Sequence, residues 1–383
     1  MKLCRERLAN DFSELAKFGP LESGGFTRVA FSPADMAARR WLQTAMEAAG
    51  LKVTVDPVGN IRGRRAGMAN LPPVMLGSHL DTVPQGGNYD GSVGVLAALE
   101  VVRVLNDSQL ETKRPIEIIN FSAEESSRFG VATIGSKALT GKLTLEALHQ
   151  LVDRDGYSLY ETLKDAGYRP DDIDRSVLEN GQVYAFLELH IEQGPVLEER
   201  QCSIGIVTSI AAPSRFKVVI EGRADHSGNT PMAMRRDALA GASELVLGVE
   251  QIATNFSGKD TVGTVGYLDV MPGAMNVVPG RVELGIDIRD VCKTDKDSAV
   301  EQVISLLKQI EQKRELTVSY DLLCDDWPVA LADRVTHLLE NCAVETKLAY
   351  LKMPSGAGHD AMNMAQIADA GMIFIPSVGG ISH

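Results

Sequence analysis

Histidines and acids stand together in this chain at positions that predict metal chemistry. His79 and Asp81 are two residues apart, and Glu124 and Glu125 are adjacent. Imidazole and carboxylate groups hold divalent ions such as zinc, and a catalytic metal keeps one position open for water. Adjacent carboxylates repel each other unless a cation or a proton separates them, so one can bind metal while the other takes a proton from water. The chemistry that these residues predict is metal-assisted hydrolysis.

Each of these patterns, taken alone, has more than one interpretation. Side chains two residues apart on a strand point to the same side, so Asp81 could accept the proton of the His79 ring nitrogen that faces away from a metal. Asp90 lies in a glycine-rich turn, where it is either the N-cap of the next helix or a carboxylate that bridges two metals. The pair Glu124 and Glu125 also fits a solvated acidic turn.

Buried strands are predicted to carry these side chains at their carboxyl ends. Short apolar runs precede His79, Glu124 and His190, and such runs are typical of buried strands. The predicted strands are 73–77, 116–121 and 187–191, with helices at 34–49 and 91–105. Because α/β sheets place ligands beyond the carboxyl ends of their strands, these side chains are expected to share one site. The predicted class is α/β, with a mostly parallel mixed sheet.

The pattern of elements changes in the second half of the chain. Strands at 215–222, 261–269, 281–290 and 316–323 and helices at 234–255 and 294–312 follow the β-α-β-β-α-β order of a ferredoxin-like unit. Beyond it, helices are predicted at 330–345 and 360–370 and strands at 347–353 and 372–375. A chain of 383 residues exceeds the usual size of a single core. We therefore predict a discontinuous domain of residues 1–212 and 328–383 and an inserted α+β domain of residues 213–327.

Composition excludes several classes of partner. The chain has 38 basic and 51 acidic residues, a net charge of −13, and no basic stripe that would bind nucleic acid. Its five cysteines are scattered, which argues against a disulfide framework and a thiolate metal site. Residues 1–12 do not resemble a secretory signal, and the apolar run 93–105 is too short to cross a membrane. A cytoplasmic protein is expected.

Motifs along nearly the whole chain resemble one known family. They are Gly-Ser-His-Leu-Asp-Thr-Val at 77–83, Gly-Gly-Asn-Tyr-Asp-Gly at 86–91, Glu-Glu at 124–125, Glu-Leu-His-Ile-Glu-Gln-Gly-Pro at 188–195, Ala-Asp-His-Ser-Gly at 224–228 and Gly-Gly-Ile-Ser-His at 379–383. Their set and order are similar to the N-carbamoyl-L-amino-acid hydrolase and allantoate amidohydrolase branch of the di-zinc aminoacylase/carboxypeptidase superfamily. The chain differs at Ser126, where the family often has glycine, and in ending at His383, where relatives continue with a helix.

The resemblance implies a zinc-exopeptidase-like catalytic domain that holds two divalent ions per subunit. Carried over by position, the implied metal ligands are His79, Asp90, Glu125, His190 and His383. Asp90 would bridge the two ions, and Glu124 would be the general base. Zinc is the expected metal, and manganese, cobalt or nickel also suit these ligands.

The resemblance also implies residues that contact the substrate. The inserted domain would form the interface of a homodimer and serve as a lid, and His226 would reach the active site of the partner subunit to stabilise the oxyanion. Arg289 would clamp the substrate carboxylate, although an exposed interface arginine is the alternative interpretation. The other implied substrate-binding residues are Gln193, Asn276 and Gly358.

The implied activity is hydrolysis of the ureido C–N bond of N-carbamoyl-L-amino acids, which are small substrates that carry a carboxylate. Allantoate amidohydrolase and β-ureidopropionase remain alternatives, because their substrates present the same carboxylate and carbonyl groups. An aminoacylase or dipeptidase fits the glycine-rich turn at 86–90 less well. A different class is a metal-free homologue that only binds its ligand, or a dimeric scaffold.

Overall fold

The computed structural model describes residues 2–256 and 260–382 of the chain. The chain divides into two compact units. The first consists of Met1–Thr208 and Ala330–His383, and the second of Ser209–Val329. Across the described residues, every helix is too short or too polar to cross a lipid bilayer.

Strands and helices alternate along most of the chain. The strands are β1 (Lys52–Val55), β2 (Ile61–Arg65), β3 (Val74–His79), β4 (Ile116–Phe121), β5 (Ala185–Ile191), β6 (Ile204–Ile210), β7 (Ala212–Glu221), β8 (Asp225–His226), β9 (Val262–Met271), β10 (Val277–Val278), β11 (Arg281–Asp290), β12 (Thr317–Asp325), β13 (Val329–Ala330), β14 (Tyr350–Ser355) and β15 (Asp369–Ile375). The α-helices are α1 (Arg5–Leu15), α2 (Pro33–Ala48), α3 (Ser92–Asp107), α4 (Ile134–Leu139), α5 (Leu145–Gln150), α6 (Leu159–Asp165), α7 (Val196–Glu199), α8 (Ala238–Asn255), α9 (Lys293–Arg314), α10 (Asp333–Glu345) and α11 (Ala361–Met364).

The sheet of the first unit has parallel strands at its centre. Its order is β1-β2-β4-β3-β5-β15-β6-β13, with β14 paired to β6. Neighbours from β4 to β15 run parallel, whereas β1 is antiparallel to β2, β2 to β4, and β6 to β15. Helix α3 buries Leu96 and Leu99 in the same core as Ile118 of β4. The predicted α/β class with a mixed sheet is confirmed, and its parallel pairs lie at the centre of the sheet.

The second unit is an antiparallel sheet with two helices. The strand order is β12-β7-β11-β9, and every pair along it is antiparallel. Strands β7 and β11 alternate buried and half-buried residues, as a sheet with one covered face requires. Val218 and Leu284 share a core with Leu245 of α8 and Val303 of α9. Arg215 and Lys217 of β7 and Glu283, Asp287 and Arg289 of β11 lie at alternate, half-buried positions.

Two parts of the local structure differ from the sequence-based expectation. The helix predicted at 360–370 is wrong, because α11 ends at Met364 and Asp369 already pairs with Ala185 of β5. This pairing joins strands that are far apart in sequence, so the local sequence pattern does not predict it. The short helices α4, α5 and α6, of six or seven residues each, were not predicted.

Candidate active site

Two histidines at the ends of neighbouring strands form the centre of the site. His79 is the last residue of β3, His190 is the last but one of β5, and both are buried. Nδ1 of His79 lies 3.0 Å from the backbone oxygen of Asp81, and Nδ1 of His190 lies 2.9 Å from that of Ile191. Because a carbonyl oxygen only accepts hydrogen bonds, each Nδ1 carries the proton and each Nε2 keeps a lone pair for a metal.

Asp90 and these histidines form a group of atoms that could hold a metal ion. The ligand atoms of His79, Asp90 and His190 all lie within 4.8 Å of one another, and all three residues are buried. Asp90 Oδ1 lies 3.1 Å from Nε2 of His190. Burial opposes a charge on His190, but Asp90, Glu188 and the backbone of Ile191 together outweigh it, so the pKa of His190 is raised. The N-cap of α3 is Gly91, so the N-cap interpretation of Asp90 does not hold, and this donor set fits a divalent ion.

Gly91 allows the two strand ends and the turn to approach closely. Its φ of 63° lies in the left-handed region, and a Cβ at this position would collide with the ring of His79. Its backbone N–H also donates to Nε2 of His190, at 3.2 Å. A side chain at this position would therefore displace the ring of His79.

The carboxylate of Asp81 holds the backbone that carries the two glutamates. Its oxygens accept hydrogen bonds from the backbone N–H groups of Glu124 at 3.2 Å and Glu125 at 3.0 Å. Its Oδ1 lies 3.7 Å from Nδ1 of His79. The predicted hydrogen bond from His79 to this carboxylate is therefore wrong, because the backbone oxygen of Asp81 takes that proton instead. Asp81 joins the ends of β3 and β4.

Glu124 is placed to exchange protons beside the histidines. Its Oε2 lies 3.6 Å from Nε2 of His79, and the residue is only 7% exposed. Burial raises the pKa of Glu124 well above its usual value, and the nearby carboxylates of Glu125 and Asp360 raise it further. A cation bound at the site would oppose this shift and leave Glu124 able to accept a proton.

Gln193 and Ser382 both contact one oxygen of the Asp90 carboxylate. Asp90 Oδ2 accepts hydrogen bonds from Gln193 Nε2 at 3.2 Å and from Ser382 Oγ at 3.0 Å. Gln193 has a φ of 59°, and its backbone N–H donates to Ser377 Oγ at 3.0 Å. Sequence reasoning missed Ser382, although its place in the Gly-Gly-Ile-Ser-His motif was the available signal.

His190 also belongs to a second buried group of possible ligand atoms. The ligand atoms of Glu188, His190 and His359 lie within 4.8 Å of one another. Glu188 accepts hydrogen bonds from Ser78 Oγ at 2.7 Å and from the backbone N–H of Ala361 at 2.9 Å. The signal for Glu188 was its position two residues before His190, which places both on one side of β5.

The remaining residues that were predicted for the site in the first unit are Glu125, Gly358 and His383. Glu125 is partly buried next to Glu124, and its charge raises the pKa of both Asp81 and Glu124. Gly358 lies in the loop between β14 and α11. His383 lies outside the described residues.

His226 and Asn276 lie next to each other in the second unit. Strands β8 and β10 pair so that His226 faces Val277, the neighbour of Asn276. Nδ1 of His226 accepts hydrogen bonds from the backbone N–H groups of Gly228 at 3.1 Å and Asn229 at 3.2 Å. The neutral ring of His226 therefore carries its proton on Nε2. Because His226 is exposed, this N–H group can donate a hydrogen bond to another molecule. Arg289 lies near the end of β11 in the same unit.

Comparison with known proteins identifies the family. The model of peptidase family M20/M25/M40 matches residues 75–383. The chain belongs to this family. A "ureidoglycolate hydrolase" of Arabidopsis thaliana is 42% identical over 98% of the chain and 80% of that protein, and an "N-carbamoyl-L-amino acid amidohydrolase" of Geobacillus stearothermophilus is 40% identical over 99% and 92%. The crystal structure of a hydantoinase/carbamoylase family amidase from Burkholderia multivorans is 37% identical, with a TM-score of 0.93, over 100% of this chain and 92% of that one.

Membership of the M20 family confirms the resemblance seen in the motifs. The relatives are named as hydrolases and amidohydrolases, and this chain is a hydrolase acting on C–N bonds. Enzymes of the M20 family are metal-dependent, and the buried group of His79, Asp90 and His190 fits that requirement.

Proposed function

We propose that this M20 enzyme hydrolyses the ureido C–N bond of N-carbamoyl-L-amino acids and releases amino acid, carbon dioxide and ammonia. The observation that carries the proposal is the group of His79, Asp90 and His190 with Glu124 beside it. The proposed ligand set is His79, Asp90 and His190 together with Glu125 and His383. This set of five residues would hold two divalent ions. Zinc is the expected metal, and manganese, cobalt or nickel would also suit these ligands. When bound, these ions would supply Lewis acidity toward the carbonyl and toward a water molecule.

Glu124 would move the proton in this reaction. It accepts a proton from the attacking water as the water oxygen forms a bond to the ureido carbon, and it returns that proton to the leaving amino nitrogen. The C–N bond then breaks, and the carbamic acid that is released decomposes to carbon dioxide and ammonia. Nε2–H of His226 would donate a hydrogen bond to the oxyanion, which agrees with the two backbone N–H groups that occupy its Nδ1.

Other side chains would orient the substrate. Arg289 would bind its carboxylate through two parallel hydrogen bonds, and Asn276 would contact the same end. Gln193 and the backbone amide of Gly358 would line the site. In the homodimer that we propose, His226 acts in the active site of the partner subunit, so each active site needs both subunits.

The substrate named for a relative supports a second candidate. The ureidoglycolate hydrolase relative is as similar to this chain as the N-carbamoyl-L-amino acid amidohydrolase relative. Ureidoglycolate, allantoate and N-carbamoyl-β-alanine, the β-ureidopropionase substrate, also combine a ureido group with a carboxylate. The residues identified above would bind both the ureido group and the carboxylate that these substrates share.

Ammonia release with each of these substrates tests the proposal. Metal-loaded wild type is expected to release ammonia fastest from N-carbamoyl-L-amino acids. Glu124→Gln should lower the rate by about 10²- to 10⁴-fold and still bind metal, because Glu124 is not a proposed ligand. Undiminished ammonia release by this variant would remove Glu124 from its role, and a preference for allantoate or ureidoglycolate would replace the substrate.

Mixing two inactive variants tests the dimer. His226→Ala and Glu124→Gln subunits should each be inactive alone, whereas a mixed dimer carries one active site with both residues intact. Activity that returns on mixing would support the action of His226 across the interface. If the mixture stays inactive although mixed dimers form, His226 does not act on the partner subunit.

A further inference from the structure

The guanidinium of Arg289 is held by a carboxylate of its own strand. Arg289 Nε donates to Asp287 Oδ1 at 2.9 Å, and Arg289 Nη2 donates to Asp287 Oδ2 at 3.1 Å. Residues two apart on β11 lie on the same face, so the pair forms without a bend in the strand. Two parallel hydrogen bonds determine both the position and the plane of the guanidinium.

Asp287 is in turn held from the neighbouring strand. Arg215 of β7 is its direct cross-strand partner, and Arg215 Nε donates to Asp287 Oδ2 at 2.8 Å. Burial opposes the charge on Asp287, but Arg289 and Arg215 outweigh it and lower its pKa, so Asp287 stays ionised. Side chains of Asp287 and Arg289 are only 24% and 25% exposed, which limits how far they can reorient.

A second trio on the same two strands has the same chemistry. Glu283 of β11 pairs with Lys217 of β7 at 3.2 Å and with Arg281 of its own strand at 3.2 Å. Its side chain is 21% exposed, close to the value for Asp287. The two trios match in charge and have acids of similar exposure, although Lys217 lies opposite Gly285 and not opposite Glu283, and the second trio contains no proposed substrate residue.

We propose that Asp287 is a positioning residue that sets the orientation in which Arg289 receives the carboxylate of the substrate, with Arg215 holding Asp287 in place. This inference rests on the proposed function, in which Arg289 binds that carboxylate. An arginine whose plane is set in advance loses less side-chain freedom when the substrate binds than one that must be ordered by it. Asp287 therefore acts on substrate affinity and not on the reacting bond.

Kinetics of Asp287→Asn test the inference. Asparagine keeps the size of the side chain but offers only one acceptor and no charge, so the parallel pair is lost. We expect KM for an N-carbamoyl-L-amino acid to rise by about tenfold while kcat changes less than twofold. For the matching N-carbamoyl-amino-acid amide, which lacks the carboxylate, kcat/KM should be the same in variant and wild type. Arg215→Gln should shift KM in the same direction by a smaller factor.

Glu283→Gln is the matched control, and it should leave both substrates unaffected. A fall in KM in Asp287→Asn would overturn the inference, since it would mean that Asp287 competes with the substrate for Arg289. An equal loss on the acid and the amide substrate, or an unchanged KM, would overturn it as well. Failure of the wild type to hydrolyse any ureido substrate would overturn the proposed function, and the inference with it.

Discussion

The buried acids at the candidate site and the paired acids of the second unit have pKa values that are shifted in opposite directions. In the first unit, burial raises the pKa of Asp81, Glu124 and Asp360 well above the usual range, and neighbouring carboxylates raise each of them further. In the second unit, hydrogen bonds from arginine and lysine lower the pKa of Glu244 and Glu283. The second unit balances its acids with its own basic side chains.

This difference indicates that an external cation would bind at the candidate site of the first unit. Buried carboxylates close together are unfavourable unless protons or cations separate them. Arginine and lysine would fill the space that a substrate and a water molecule need, whereas a divalent ion supplies charge in a small volume. The first unit therefore keeps unbalanced acids where catalysis is proposed, and metal binding is expected to stabilise that unit selectively.

Metal addition should produce the largest effect. Zinc at about a thousand times its dissociation constant is expected to stabilise the folded protein by about 4 kcal/mol. Hydrogen exchange followed by mass spectrometry should show stronger protection in β3 and β5 than in β7 and β11. Asp90→Asn should lose most of the gain, because it removes a negatively charged ligand atom. Equal protection of both units would break the comparison.

Gly91→Ala should have the next largest effect, which is a loss of stability. The new Cβ meets the His79 ring and the residue must hold a φ of 63°, so a loss of about 3 kcal/mol in unfolding free energy is expected, with weaker metal binding. Urea unfolding and chelator competition measure the two effects. Gly181→Ala is the matched control, because its φ is 85° but, among the described residues, its Cβ would have no atom within 4 Å. Equal losses in the two variants would show that backbone strain alone is responsible.

Asp56 should make the first unit less stable as pH rises. Burial raises its pKa from 3.8 to about 6. Because the folded state binds this proton more tightly than the unfolded state, its contribution to stability is greatest below pH 3.8 and falls as pH rises toward 6. The unfolding free energy of metal-free wild type relative to Asp56→Asn should therefore drop by about 3 kcal/mol across this range. A difference that does not change with pH would contradict the assignment.

Glu244 should show the opposite sign and the smallest effect. Its hydrogen bonds from Arg314 and Lys313 lower its pKa from 4.5 to about 2. Its contribution to stability is present above pH 4.5 and is lost as pH falls toward 2. Since the group is largely solvated, Glu244→Gln should cost only about 0.5 kcal/mol at neutral pH. Melting curves at low and high salt should differ for wild type more than for the variant.

Local sequence pattern predicted the elements that carry the site. The apolar run at 116–121 matches β4, and the run at 281–290 matches β11, because buried and alternating positions are visible within a few residues. The motif positions also placed His79, Asp90, Glu124 and His190 in one site. By contrast, the helix expected at 360–370 was wrong, since pairing with β5 outweighs local helical preference there.

The residue types and their motifs predicted His79, Asp90 and His190 as metal ligands, and the ligand atoms of these residues lie within 4.8 Å of one another. Only the tertiary structure decided which partner each polar group uses. It assigned the carboxylate of Asp81 to the backbone of Glu124, the amide of Gln193 to Asp90, and the guanidinium of Arg289 to Asp287. These hydrogen bonds depend on side-chain directions and, in the first two cases, on strands that are far apart in sequence. Such geometry is set by packing, which a linear pattern of residue types does not contain.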